Sequence, residues 1–173
     1  MPHQNSLSSL LLITLYLVCM PAAGASDSVS RVRQASLPTT PLDKLQQLAR
    51  DPDVRVRTAV AMNRRTDTAT LYSLASDPEQ PVRIAVATNI STNEETFLLL
   101  ARDRDPQVRS VVSRFEYVPV AALKILATDP RPDIRLEVAH NWNTDRETLE
   151  KLSKDSYEEV RNMALRSLAE NHR

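Results

Sequence analysis

Aspartate recurs at Asp51, Asp77, Asp103, Asp129 and Asp155, and an arginine follows each by six residues, at Arg57, Arg83, Arg109, Arg135 and Arg161. Carboxylates and guanidinium groups at one fixed spacing suit two kinds of chemistry. A row of arginines can clamp the phosphate or carboxylate of a ligand through its fork of N–H donors. Alternatively, the two rows neutralise each other, each Asp accepting from helix-start N–H groups and from a neighbouring Arg. Stacked like charges repel unless paired, and acids occur at matching positions throughout, which favours the second reading. These ten residues are expected to be structural ladders.

Groups that could carry catalysis are scarce. From Ser26 onward the chain has no Cys and no Gly. Without Cys there are no disulfides, thiolate metal sites or Cys nucleophiles. Without Gly, phosphate-cradling loops, dinucleotide fingerprints and nucleophile elbows cannot be written in their usual form. His140 and His172 are the histidines of this region, His140 has no second His at ligand spacing, and His172 sits beside the chain end. No catalytic, cofactor-binding or metal residue is expected, and the chain is read as a non-enzyme. Twenty-two Lys and Arg balance 22 Asp and Glu. No global field therefore draws in nucleic acid or an anionic membrane.

The elements that position these residues follow from the repeat itself. Units run 51–76, 77–102, 103–128 and 129–154, with a half-unit at 155–173. Val56, Ala59, Val60 and Asn63 share one helical face, and Leu71, Leu74 and Ala75 share another. Each unit is thus read as two short helices. Prolines ahead of the first helix limit where it can start, and Pro41 and Pro119 fall at the first position of the second. Thr40, Thr66, Thr92 and Thr144 are expected to N-cap the second helix, with capping boxes at Thr92/Glu95, Thr144/Glu147 and Ser156/Glu159. Asn63, Asn89 and Asn141 are expected to cap the end of the first helix in left-handed geometry. Helices this short are marginal alone, so units must stack. The expected fold is all-α, a short right-handed α-solenoid over residues 40–173.

Residues 1–25 read as a signal peptide. The apolar run "LLLITLYLVCM" is short for a membrane span and leads to Ala23-Gly24-Ala25, which fits the small-residue cleavage rule. The first residues lack the Lys and Arg usual in a signal peptide, and an uncleaved anchor is the competing reading. Val18 before Cys19 argues against lipidation. Residues 26–39 are a lead-in or a degenerate half-repeat, in which Val32-Arg33 echoes Val56-Arg57 at a distance of 24 rather than 26. The destination is exported, periplasmic or secreted, with no membrane contact once the signal is removed.

The line D-P-x-x-x-V-R-x-x-V-A-x-N, followed by T and then L-x-x-L-A, resembles the leucine-rich repeat variant family. The resemblance covers roughly residues 40–168 and implies a short-repeat solenoid that pairs an α-helix with a shorter, often 3₁₀, helix. It also implies a binding scaffold without shared catalysis. The Asp-x4-Val-Arg element is similar to HEAT repeats, in which Asp and Arg form ladders between units. The family's founding type is associated with an iron–sulfur cluster held by cysteines outside the repeats. Here Cys19 is the sole Cys, so that cofactor is not carried over.

Function is sought where the repeat is broken, at "SRFEYVP" and "HNWN". Arg114, Phe115, Tyr117, His140 and Trp142 fall in the inter-helix turns of adjacent units and form the candidate partner-binding set. Aromatics beside Arg are typical hot spots; the competing reading is that they cover the core locally. The expected function is protein or peptide binding by a monomeric exported scaffold. The alternative is an adaptor subunit of a cell-envelope complex.

Overall fold

The computed structural model describes the backbone of residues 23–170 and the side chains of residues 27–170. The expected signal segment lies outside these residues except for its last three positions, and Cys19 and His172 lie outside as well. Eleven helices and no strand occur among the described residues: α1 Ala23–Ser36, α2 Leu42–Leu48, α3 Val54–Met62, α4 Thr68–Leu74, α5 Gln80–Ala87, α6 Glu94–Leu100, α7 Pro106–Arg114, α8 Val120–Leu126, α9 Pro132–His140, α10 Arg146–Leu152 and α11 Glu158–Glu170. Each odd-numbered helix packs on the next odd-numbered one, building a continuous row from α1 to α11. The shorter even-numbered helices lie along the other side of the core. None of the described helices is long and apolar enough to cross a membrane.

Local chemistry explains the starts. Pro81, Pro106 and Pro132 occupy the first turns of α5, α7 and α9, where a missing N–H costs nothing. Asp53 and Asp105 cap α3 and α7 through the amides of Arg55 and Gln107. The even helices start one residue later than the threonine pattern suggests. Their N-caps are Pro41, Asp67, Asn93, Pro119 and Asp145. The threonines turn the other way: Thr66, Thr92 and Thr144 donate at 2.6 Å to the carbonyls of Val60, Val86 and Val138. The last carbonyls of the odd helices need donors, and an Asp or Asn beside each threonine is already placed to cap. The expected capping boxes do not form. Glu147 pairs instead with Lys151 and Lys124, and the Asp155 carboxylate takes the Tyr157 amide.

The core is one unbroken column rather than a series of unit cores. Val56, Val82, Val108, Ile134 and Val160 from the odd helices are each at most 1% exposed. So are Leu45, Leu71, Phe97, Leu123 and Leu149 from the even helices. Between the odd helices runs a row of small residues, Ala35, Ala61, Ala87, Ser113 and Ala139, each fully buried. Small side chains at the contact set a short interaxial distance, and this lets the polar ladders span from unit to unit.

Residues 26–39 belong to the stack. Helix α1 packs on α3, and Arg31 forms an ion pair with Asp51 at 2.7 Å. The register here is 26, as elsewhere. The apparent echo at Val32-Arg33 is displaced by two residues from the positions that occupy the repeat's place, Ser30 and Arg31.

Asn63 and Asn141 end their helices, though not in left-handed geometry, and Asn89 sits one residue past Thr88, the C-cap of α5. Asn63 and Asn141 are extended, with φ of −73° and −68°. Their side-chain amides reach back one unit. Asn63 Nδ2 donates to the carbonyls of Ala35 and Leu37. Asn89 donates to those of Ala61 and Asn63, and Asn141 to those of Ser113 and Phe115. These are cross-unit ties that satisfy helix-end carbonyls. One prediction follows for Asn89-Ile90-Ser91, which has the form of a glycosylation sequon. Asn89 is buried and its Nδ2 is committed to two carbonyls at 2.7 and 3.0 Å. Expression through a glycosylating secretory route should yield an intact mass with no glycan. A glycan on Asn89 of folded protein would contradict this packing.

Candidate partner-binding edge

The Asp and Arg rows form a single chain of bonds. Five pairs, Arg31–Asp51, Arg57–Asp77, Arg83–Asp103, Arg109–Asp129 and Arg135–Asp155, have Nε to Oδ2 distances of 2.6–2.7 Å. Each Asp also takes the amide two residues ahead, as Asp77 takes that of Glu79. From Arg57 onward, each Arg donates Nη1 to the carbonyl of the Asp six residues before it, Arg57 to Asp51 and Arg83 to Asp77. Both charges of each pair are thereby consumed within the stack, and the arginines do not form a ligand stripe.

Acid should loosen this chain. Burial pushes the Asp77 carboxyl up, but the Arg57 hydrogen bond and the Glu79 amide outweigh it and hold the group below its ordinary range. The Arg135 hydrogen bond holds Asp155 down in the same sense, against burial. A carboxyl depressed in the folded state stabilises it at pH above the unfolded value of about 3.9. That stabilisation disappears as pH falls through the folded pKa. The melting temperature should therefore drop once pH passes below about 4, read by circular dichroism. A melting temperature that stays level down to about pH 2 would count against the ladder's role.

The five candidate residues divide into two groups. Phe115 occupies the asparagine row, 26 residues before Asn141. It turns inward and stacks on Phe97, with ring centroids 5.7 Å apart. Tyr117 meets Phe115 edge-on at 5.9 Å and is itself exposed. No side chain among the described residues donates to the carbonyls of Ala87 or Asn89, the groups that an asparagine in this place would serve. Phe115 thus covers the core locally.

Trp142 belongs to a different row, that of Arg64, Ile90 and Glu116. It is 66% exposed, and among the described residues it pairs with no other ring. Arg114, Glu116, Glu137, His140, Asn141 and Trp142 line a groove of about 530 Å³ between the ends of α7 and α9. On its other side Trp142 borders a second groove of about 310 Å³, against Met163, Arg166 and Glu170 of α11. Glu137 and Arg166 were not expected from the sequence, whereas Glu116 lies within the SRFEYVP stretch singled out above. Glu137 lies one helical turn before His140, so helical spacing would have found it, and Glu116 lies 26 residues before Trp142, so counting by the repeat marks it. The same side of the stack carries an apolar groove of about 630 Å³ near α1, lined by Val32, Val54, Met62 and Pro81 among others. No group of three or more His, Cys, Asp or Glu among the described residues is placed to hold a metal ion.

These features define an all-helical repeat solenoid whose regular polar groups serve stacking. Among solved structures the chain is similar to "a leucine-rich repeat variant with a novel repetitive protein structural motif", with a TM-score of 0.61 and 29% identity over 76% of this chain and 52% of that one. The match thus spans about half the length of that protein. The chain is an all-helical repeat solenoid similar in fold to that leucine-rich repeat variant. No family model matches it, and no curated protein does.

Proposed function

We propose that this chain is an exported, non-catalytic scaffold that binds a protein or peptide partner at the edge around Trp142. The observation that carries the reading is the exposure of Trp142 between two grooves. An indole in water offers a large contact area that a partner can desolvate. Arg114, Glu116, Glu137, His140 and Arg166 surround it and supply polar contacts of both signs, as expected of a hot spot with a polar rim. Export rests on the apolar run and small-residue site in residues 1–25.

The test is recovery of a partner from extract of the producing cells by immobilised protein, wild type against Trp142→Ala. The variant should melt within about 0.5 kcal/mol of wild type, because an exposed side chain contributes little to the fold. It should lose the partner, with a drop of at least about 30-fold in affinity, the effect of a hot-spot aromatic. Equal recovery by both proteins would sink the assignment of this edge.

A further inference from the structure

The arginine ladder has a sixth member that pairs with no carboxylate among the described residues. Arg31, Arg57, Arg83, Arg109 and Arg135 each place Nε on an aspartate 20 residues ahead. Arg161 stands in the same row on α11. Its Nη1 donates to the carbonyls of Asp155 and Ser156 at 2.8 and 3.0 Å. Arg57, Arg83 and Arg135 anchor Nη1 in the same way, on the aspartate six residues back and its neighbour. Among the described residues, Nε and Nη2 of Arg161 have no partner. The guanidinium is held in the orientation that accepts a carboxylate elsewhere in the stack, and its side chain is only partly exposed.

We infer that this end of the solenoid is a second binding surface, one that takes an acidic segment of another protein through an Asp or Glu side chain on Arg161. Charge complementarity is built in, since the chain shows five times what group this fork binds. Arg161 already holds Nη1 on two carbonyls, so less entropy is lost on contact. The occupant is not a further repeat helix stacked at the usual depth. The small-residue row that permits such stacking ends at Ala139, and the next position is Leu165, which is 54% exposed. Helix α11 also continues straight through Ser167, where every earlier unit turns back. A second copy faces the same obstacle at Leu165. An acidic segment in a looser, more extended form reaches Arg161 and lays apolar side chains over Leu165 and Tyr157, both exposed.

The measurement is NMR of the arginine Nε–H groups in the full chain, titrated with the synthetic peptide Ac-DPEQPV-amide. This peptide copies the segment that bears Asp77 and pairs with Arg57. The Arg161 signal should shift while those of Arg57, Arg83, Arg109 and Arg135 stay in place, because their carboxylates are already supplied. Changing both the peptide's Asp to Asn and its Glu to Gln should weaken binding about tenfold or more, the usual consequence of removing a charge-assisted hydrogen bond. This comparison leaves the protein unaltered, so it does not depend on how any variant folds. Arg161→Gln, checked for an intact melt, should abolish the shift. No movement of Arg161, or an equal response to the neutral peptide, overturns the inference. Concentration-dependent self-association that Arg161→Gln abolishes would also overturn it, in favour of a second copy. The site lies apart from Trp142, and Trp142→Ala should leave the peptide response unchanged.

Discussion

Replacing Arg83 by Met should destabilise the chain by about 3–5 kcal/mol, the cost of leaving one charge of a buried pair without its partner. The pair is deep: the Arg83 and Asp103 side chains are 5% and 7% exposed. Arg83 also holds the carbonyls of Asp77 and Pro78, so a single change opens bonds in two units. Adding Asp103→Leu should recover most of the loss, because a buried pair replaced by apolar side chains is often close to neutral. The contrast is Arg131–Asp133, whose side chains are 53% and 56% exposed. Arg131→Ala should cost less than about 1 kcal/mol, since water screens that pair. Urea unfolding of the four proteins measures all of this. A loss at Arg83 no greater than at Arg131 would mean that the ladder pair contributes little to joining the units.

Phe115→Ala should cost about 2–4 kcal/mol, somewhat less than a fully buried Phe→Ala because the ring is only partly covered. The loss arises from the contact with Phe97, which is 1% exposed and holds a position that is leucine in the other units. The two phenylalanines act as a coupled exception: a large ring replaces the asparagine tie, and its neighbour enlarges to meet it. Phe115→Asn alone should remain destabilising. Combined with Phe97→Leu, it should regain stability, because the introduced side-chain amide could then donate to the carbonyls of Ala87 and Asn89 as Asn89 does to Ala61 and Asn63. A favourable coupling of about 1 kcal/mol or more in the double-mutant cycle is the expected result. Simple additivity would refute the exchange. A Phe115 change that abolished partner binding without touching stability would restore Phe115 to the binding surface.

The threonines and asparagines show where reading residue by residue stops. Thr66 and Asp67 are both good caps, and propensity alone does not choose between neighbours. The choice is made by the end of the preceding helix, where the Val60 carbonyl needs a donor within reach. Asn63 presents the same problem over a longer distance. Its acceptors, Ala35 and Leu37, are 28 and 26 residues away, and no local pattern marks them. Phe115 and Trp142 of the broken turns were separable by counting in steps of 26. Phe115 aligns with Asn141, and Trp142 aligns with Glu116. The first row faces the interior and the second faces water.

By itself the sequence determined the repeat length, the helical class, the apolar rows and the polar partners of the ladders. Each of these recurs at a fixed interval, and burial of an apolar face or neutralisation of a charge leaves the same residue type at every recurrence. Tertiary structure decided the direction of each bond and the fate of each exception. It sent Asn63 to the preceding unit, Phe115 into the core and Trp142 into solvent, and it anchored Arg161 on two carbonyls with no carboxylate partner among the described residues. These outcomes depend on which groups the stacking brings within hydrogen-bond or van der Waals distance, and that distance exists only once the helices are packed.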